Sequence, residues 1–306
     1  MENNFINTIY NSSIWFKIVI VFAIAVIYYL FTNKQTLTEG FSQRENFVIK
    51  EKDDIYDSFY ADIYDQLVQD KIKNEYEVGT IINLTKPTKN SLLLDIGSGT
   101  GDHVAIFNSK NINAVGLDKS SAMVAVSKKK YPNIEFNVGN ANDVMVHPAH
   151  TFTHITCLYF TIYYIKDKFS FFRNCYEWLK PGGYLVVHVV DKNKFDPILN
   201  AANPLNILSV QKYAKERVTT SLIKFNNFNY RANFSIGDNN DENATFEETF
   251  TDDNGKVRKH LHNMFMPTQD EIEHIGKEAG FIVEGKIDLD TVQYDNQQLL
   301  IFYKPE

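Results

Sequence analysis

The chain has 306 residues, 44% of them hydrophobic and 23% charged, which is the composition of an ordinary globular protein. This length allows one large domain with additional elements, or two small domains. The formal net charge of −7 at pH 7 argues against a nucleic-acid partner, because a protein that neutralises phosphates needs a basic face.

Residues 14–31 are apolar throughout except for Lys17, and their number predicts a transmembrane helix. The segment 1–13 would then be a short exoplasmic tail, because it carries no Lys or Arg. The basic residues that follow the apolar segment most closely are Lys34, Arg44, Lys50 and Lys52. This asymmetry predicts a single-pass membrane protein whose large C-terminal domain is cytosolic. A cleaved signal peptide and a buried core helix are the alternatives.

A linker is predicted over 32–53, which is polar and lacks periodicity, and one domain over 54–306. Apolar residues recur at helical spacing from 55 to 67. Beyond them strands and helices alternate, which is typical of an α/β fold with a doubly wound, mostly parallel sheet. The first five predicted strands of this sheet are 91–96, 113–117, 134–138, 153–159 and 184–190.

The rhythm changes after residue 218. Period-two stretches with turn residues between them predict an antiparallel β flap over about 218–266. Thr268 and Glu271 form a capping box that begins a helix, which ends at Gly280. Strands at 281–287 and 299–303 bring the predicted main sheet to seven strands.

The strongest chemical signal is LLLDIGSGTGDH, residues 92–103, which joins a buried strand to a helix. Its glycines allow the backbone to approach a ligand that a Cβ would obstruct. Asp118 ends the next strand, where a carboxylate suits the hydroxyls of a ribose. Asp102 occupies the place of the last glycine in the dinucleotide fingerprint, which disfavours a pyrophosphate. A cofactor with a ribose and a cationic sulfur fits better.

From residue 54 to the C-terminus the chain resembles a class I S-adenosylmethionine-dependent methyltransferase of the type-11 group. The glycine-rich segment matches the first motif of that family. The other matching motifs are GLDKSSAM at 116–123, VGNAND at 138–143, FTHITCLYF at 152–160 and WLKPGGYLVV at 178–187. Asn140 and Thr153 stand where the family usually has aspartate. The resemblance implies a Rossmann-like fold with S-adenosyl-L-methionine as the cofactor.

The ends of the domain resemble sugar-amine and other small-molecule N-methyltransferases in particular. In such enzymes a tyrosine near the start of the domain covers the cofactor, and Tyr64 matches it best, followed by Tyr60. The cofactor-binding residues that the resemblance implies are Tyr60, Tyr64, Asp95, Gly97, Ser98, Gly99, Gly101, Asp118, Lys119, Met123, Asn140, Ala141, Cys157, Leu158 and Tyr159.

Tyr159, Tyr163 and Tyr164 follow the fourth strand, at the edge where open α/β sheets bind ligands. His103 lies in the first turn after the glycine-rich segment, and His188 lies near the end of the fifth strand. Tyr159 and Tyr163 are candidate walls of the methyl-transfer site, and His103 and His188 are candidate proton acceptors. Core packing or an ordinary hydrogen bond is the alternative for each. His260 and His262 share one face of a flap strand, but with no third ligand apparent no metal is predicted.

These features predict a membrane-tethered methyltransferase that methylates nitrogen or oxygen of a small molecule or lipid. A catalytically inactive, membrane-anchored module that binds the cofactor or a protein is the alternative, since Asn140 and Thr153 replace family acids. Aminopropyl transfer is a third reading, but the segment CLYFTIYYI lacks the acidic pair that a polyamine requires. The layout also resembles membrane-anchored methyltransferase-domain proteins of large DNA viruses, so a viral or virus-associated membrane is among the expected locations.

Overall fold

A computed structural model of the chain describes residues 13–32, 43–202, 211, 214–237 and 242–306. The chain divides into two compact units, Met1–Gly40 and Phe41–Glu306. The described part of the first unit is essentially one helix, α1, over Ile14–Thr32. Residues 1–12 of the predicted exoplasmic tail and residues 33–42 of the predicted linker lie outside the described residues.

The predicted membrane anchor requires correction. Across the residues that the structure describes, no helix is both long and apolar enough to cross a bilayer. The predicted single-pass membrane location, with its viral variant, is therefore wrong.

The second unit is built on a seven-stranded sheet. Its strands are β2 (Leu92–Ile96), β3 (Asn113–Asp118), β4 (Phe136–Val138), β5 (Phe152–Cys157), β6 (Leu179–Val190), β11 (Ile282–Asp288) and β12 (Gln297–Tyr303). Their order is β11-β12-β6-β5-β2-β3-β4. Strands β2 to β6 pair in parallel, while β12 pairs antiparallel with β6 and with β11. The sheet is therefore mixed, with a parallel centre.

Helices cover both faces of this sheet. They are α2 (Ser58–Val68), α3 (Lys71–Thr85), α4 (Asp102–Ser109), α5 (Ser121–Lys130), α6 (Thr161–Tyr164), α7 (Lys168–Trp178) and α8 (Gln269–Glu278). Alternate residues of β2 serve different cores: Leu94 packs with α7 and α8, and Leu93 packs with α3, α4 and α5. This alternation is what a strand buried on both faces requires.

Side chains set where several helices begin. The side chains of five N-cap residues accept the backbone N–H three positions on: Asp57, Asp70, Ser120, Asp167 and Thr268. Glu271 also reaches back to the Thr268 N–H, which completes the predicted capping box. Such caps fix the helix starts that follow the loops around the site.

The remaining strands form a second sheet, called here the flap sheet. It contains β1 (Phe47–Glu51), β7 (Thr220–Lys224), β8 (Phe228–Ile236), β9 (Asn243–Asp252) and β10 (Val257–Phe265). The order is β1-β10-β9-β8-β7, antiparallel except for the β1–β10 pair. Strand β1 lies in the segment predicted as linker, so the structure corrects that reading. Its parallel partner is more than 200 residues away, which local sequence patterns do not indicate.

The packing of α7 gives a testable prediction. Phe172 is fully buried, and its ring centroid lies 6.2 Å from that of Phe281 and 5.1 Å from that of Phe302. Phe172→Ala should lower the free energy of unfolding by about 3–5 kcal/mol, since it leaves a cavity in the core. Phe169→Ala is the matched control, because Phe169 lies on the same helix and is 46% exposed. It should cost less than about 1 kcal/mol in guanidinium unfolding. Equal losses would contradict the described orientation of α7.

Candidate functional site

A cavity of about 580 Å³ opens where the parallel strands of the main sheet end and the flap sheet begins. Its walls come from the turn after β2, the ends of β3 and β4, the segment after β5, the region 52–68, and inward side chains of the flap sheet. This is the edge at which open α/β sheets bind ligands, and the volume is that of a small-molecule site.

The glycine-rich turn after β2 supplies one end of the cavity. Gly97 has a positive φ of 69°, and a Cβ there would lie 2.4 Å from the Thr161 side chain, so packing requires this glycine. Gly99 also has a positive φ, of 53°, but its Cβ would meet only the Tyr64 ring, at 3.7 Å. The backbone at Gly99 is therefore bare on the side that faces the cavity, as close approach of a ligand requires.

Asp118 lies beside this turn at the end of β3. Its two carboxylate oxygens accept the backbone N–H groups of Gly99 and Ser120, each at 2.8 Å. Burial raises the pKa of the Asp118 carboxyl, and the two backbone hydrogen bonds partly offset that rise. Each oxygen can accept a further hydrogen bond. The carboxylate therefore fixes the turn and remains able to accept the two hydroxyls of a ribose in the cavity.

The predicted cofactor residues fall into two groups. Those that line the cavity are Tyr60, Tyr64, Gly97, Gly99, Asp118, Lys119, Met123, Asn140, Ala141 and Tyr159. Those that lie outside its lining are Asp95, Ser98, Gly101, Cys157 and Leu158. In the second group, Ser98 and Gly101 belong to the glycine-rich turn, and the other three residues lie on or directly after β2 and β5. Asp95, for example, is buried and accepts the Thr156 hydroxyl at 2.7 Å, and burial raises the pKa of its carboxyl to about 6.

Asp102 does not face the cavity either. Its carboxylate accepts hydrogen bonds from Lys130 at 2.7 Å, from Tyr131 at 2.6 Å and from Gln69. Burial opposes ionisation of Asp102, but these donors, Lys130 above all, lower the pKa of the carboxyl. These partners hold the carboxylate away from the cavity, whose lining does not include Asp102.

Of the four predicted catalytic residues, only Tyr159 lines the cavity. Tyr163 is fully buried and its hydroxyl accepts the Val190 N–H at 2.7 Å. His188 is also buried and hydrogen-bonds the Tyr159 carbonyl at 2.6 Å, and burial lowers its pKa to about 4. His103 pairs with the buried Glu77 at 2.9 Å. The expectation that these three face an acceptor is therefore corrected, since each is held by a structural partner.

A cluster of tyrosines lines the cavity and begins beside Gly99, where the Tyr64 ring lies. Its members are five of the six tyrosines in the lining, all except Tyr294: Tyr56, Tyr60, Tyr64, Tyr159 and Tyr164. Burial raises the pKa of each phenol above its usual value, so all five are protonated at neutral pH. We call these five residues the tyrosine cluster. They provide hydroxyl donors and ring faces around whatever the cavity holds.

On the flap sheet Glu248 was not predicted from the sequence, and His262 was considered only as a metal ligand for which no third group was apparent. His262 lines the cavity, and Glu248 lies behind it, fully buried. The register pairs Glu248 of β9 with His260 of β10, so both point to the same side of the sheet. A signal was present in the sequence: the alternation of β9 puts Glu248 on the inward face with Phe250, and a charged residue on an apolar face needs an explanation.

Comparison with known proteins identifies the domain. The family profile described as a methyltransferase domain matches residues 93–183, which include the glycine-rich turn and Asp118. This match assigns residues 93–183, less than a third of the chain, to a methyltransferase domain. The predictions of an S-adenosylmethionine-dependent methyltransferase and of its cofactor are confirmed for this domain.

The methyltransferase domain has relatives of known activity. A dTDP-4-amino-2,3,4,6-tetradeoxy-D-glucose N,N-dimethyltransferase from Saccharopolyspora spinosa is 30% identical over 143 residues, 45% of this chain and 57% of that enzyme. A demethylmenaquinone methyltransferase from Chlorobaculum parvum is 33% identical over 104 residues, 33% of this chain and 42% of that enzyme. The chain thus spans about half the length of the curated relatives it matches.

Solved structures match over more of the chain. An S-adenosylmethionine-dependent methyltransferase from Clostridium acetobutylicum has a TM-score of 0.61 and 16% identity, and the match covers 81% of this chain and 98% of that one. The S-adenosylmethionine-bound amino-pentose methyltransferase CalS10 from Micromonospora echinaspora has a TM-score of 0.54 and 17% identity, covering 76% and 91%. These likenesses establish the fold, a class I methyltransferase fold with a mixed sheet.

The cavity lining predicts how cofactor binding responds to substitution. Asp118→Ala should weaken S-adenosylmethionine binding roughly 10- to 100-fold in calorimetry, because hydrogen bonds to a charged group contribute about 1.5–3 kcal/mol. Gly99→Val should weaken binding as well, because its side chain would occupy the cavity. Asp288→Ala, at an exposed carboxylate outside the cavity, is the control and should bind as the wild type does. Unchanged affinity in both cavity variants would contradict this placement of the cofactor.

Proposed function

We propose that this chain transfers a methyl group from S-adenosylmethionine to the amino group of a small molecule, in the manner of the amino-sugar methyltransferases it resembles. Two relatives are named for such acceptors, at 30% and 24% identity. The observation that carries the proposal is the continuity of one cavity from the Gly99–Asp118 end to the tyrosine cluster.

The residues at the first end fit the cofactor. Asp118 presents oxygens for the ribose, and the bare backbone at Gly99 leaves room beside it. Met123 and Asn140 line the same end, where a thioether and an amide suit the face and edge of an adenine. When bound, S-adenosylmethionine supplies a methyl group on a positively charged sulfur. The chain itself needs to hold the acceptor in line with that methyl and to exclude water.

The tyrosine cluster suits a positively charged acceptor. Ring faces attract cations, and the attraction is stronger where water is excluded. Protonated phenols also hydrogen-bond the hydroxyls of a sugar ring. An amine that enters as an ammonium group can thus be held by the ring faces before it loses its proton and reacts.

An inactive module was the alternative because Asn140 and Thr153 replace family acids, and the replacement at Thr153 no longer favours it. Thr153 lies at the start of β5, and its hydroxyl bonds the Leu92 backbone N–H and carbonyl, each at 3.1 Å. It is therefore remote from the cavity, and its replacement of an acid removes no group from the site. Asn140 does line the cavity, where its amide can serve as donor and acceptor.

The decisive test is methyl transfer by the full chain between matched acceptors. A dTDP-linked amino sugar and its hydroxyl counterpart would be incubated with labelled S-adenosylmethionine. We expect transfer to the amine at least about tenfold faster, since an oxygen acceptor depends more on a general base. Asp118→Ala, at a subsaturating concentration of S-adenosylmethionine, serves as the control with weakened cofactor binding. Cofactor binding without transfer to any amine would contradict the proposal and favour the non-catalytic module.

A further inference from the structure

A buried polar cluster joins the flap sheet to the wall of the cavity. Its centre is the carboxylate of Glu248, which is fully buried on β9. Its Oε1 accepts the hydroxyls of Tyr60 at 3.1 Å and of Tyr230 at 2.6 Å. Its Oε2 accepts from His260 Nδ1 at 3.2 Å and from His262 Nε2 at 2.8 Å. Four donors thus saturate one carboxylate.

The partners fix the protons on the two histidines. Arg258 Nε lies 2.8 Å from His260 Nε2, and a guanidinium can only donate, so His260 carries its proton on Nδ1. His262 points its Nε2 at the carboxylate, which can only accept, so His262 carries its proton on Nε2. The remaining nitrogen of His262, Nδ1, therefore has a free lone pair when the ring is neutral.

That lone pair faces the cavity wall. The Tyr164 hydroxyl lies 2.9 Å from His262 Nδ1 and must donate to it. Tyr56 in turn hydrogen-bonds the Tyr164 hydroxyl. Tyr56, Tyr164 and His262 all line the cavity. A continuous path for a proton therefore runs from the tyrosine cluster through Tyr164 to His262, with Glu248 behind it.

Glu248 is ionised in this arrangement. Burial opposes the charge, but the hydrogen bonds and charges of His260 and His262 outweigh burial and lower the pKa of the Glu248 carboxyl to about 2. An anion beside Nε2 holds the His262 ring in one orientation and stabilises the imidazolium that forms when Nδ1 takes up a proton. A carboxylate that orients a histidine base acts in the same way in hydrolases.

We propose that His262, oriented by Glu248, is the general base that accepts the proton released by the acceptor during methylation. This rests on the proposed function of the same cavity. The acceptor nitrogen forms a bond to the methyl carbon as the bond from that carbon to sulfur breaks. The nitrogen's proton passes to the Tyr164 oxygen while the Tyr164 proton passes to His262 Nδ1. Solvent later removes the proton from His262.

A metal is the competing occupant, because ligand atoms of Glu248, His260 and His262 lie within 4.8 Å of one another. Two facts favour the relay. The Arg258 cation occupies His260 Nε2, and every ligand atom of Glu248 already accepts hydrogen bonds. A bound ion would have to displace these donors while lying near a guanidinium. The two readings differ in metal content, which the test measures.

The main test compares His262→Gln with the wild type in the methyl-transfer assay. Glutamine can still hydrogen-bond but cannot take up the proton, so kcat should fall roughly 100-fold or more. Binding of S-adenosylmethionine should change less than about threefold, because the hydrogen bonds of His262 go to Glu248 and Tyr164 and not to Asp118 or the glycine-rich turn. His274→Gln, at a surface histidine that is 73% exposed, is the matched control and should keep wild-type kcat. An unchanged kcat in His262→Gln would overturn the relay while leaving the proposed function intact.

The dependence on pH distinguishes a base from a structural residue. A pH-dependent limb of wild-type kcat/KM that arises from this base should vanish in His262→Gln, because glutamine cannot take up a proton. The titratable groups that face His262 from the neighbouring elements are Glu248, His260, Tyr56, Tyr60 and Tyr164. Arg258 lies behind His260. Retention of the same limb in the variant would overturn the proposal.

Two further measurements test the relay if His262→Gln folds poorly or if no acceptor reacts. Tyr164→Phe removes only the hydroxyl in the relay, and it should lower kcat with little effect on the melting temperature. Nitrogen NMR of the imidazoles in the full chain should find His262 protonated on Nε2 at neutral pH. Protonation on Nδ1, or one equivalent of bound metal that is lost with His262, would overturn the relay independently of any activity.

Discussion

The charge on Glu248 is the constraint from which the arrangement of the flap follows. An ionised carboxylate without partners is far too costly to bury, so donors must reach it from several directions. They come from α2, β8 and β10, through Tyr60, Tyr230 and the two histidines. Satisfying one charge thus fixes the flap sheet against α2. The same requirement fixes the ring of His262 at the wall of the cavity.

Helix α2 carries this constraint to the cofactor end of the cavity. Tyr60 and Tyr64 are four residues apart, so both lie on one face of the helix. Tyr60 donates to Glu248, whereas the Tyr64 ring lies next to Gly99 in the glycine-rich turn. Asp118 holds the same turn through the Gly99 N–H. The flap carboxylate and the proposed ribose ligand are therefore linked by about one turn of one helix and by one backbone hydrogen bond.

Local patterns allowed the main sheet to be predicted, because each strand and its following turn are close in sequence. The glycine-rich turn and Asp118 were found for this reason, and both line one cavity. The pairing of β1 with β10 joins residues about 200 positions apart, so no local pattern indicates it. Tyr163 and Tyr164 are adjacent in sequence, yet one bonds Val190 in the core and the other bonds His262. Their directions depend on α6, a helix of a single turn, whose orientation only tertiary packing sets.

The tyrosine cluster and His262 have complementary parts in handling a proton. Burial raises the pKa of the Tyr56 and Tyr164 phenols, so neither can act as a base alone at neutral pH. A phenol can accept a proton only if it gives up its own at the same time, and this requires a neutral acceptor directly beside it. His262 Nδ1 is such an acceptor because Glu248 takes the hydrogen bond from Nε2. The burial that prevents the tyrosines from ionising also keeps water away from the methyl group, so proton removal by a relay and exclusion of water arise from the same packing.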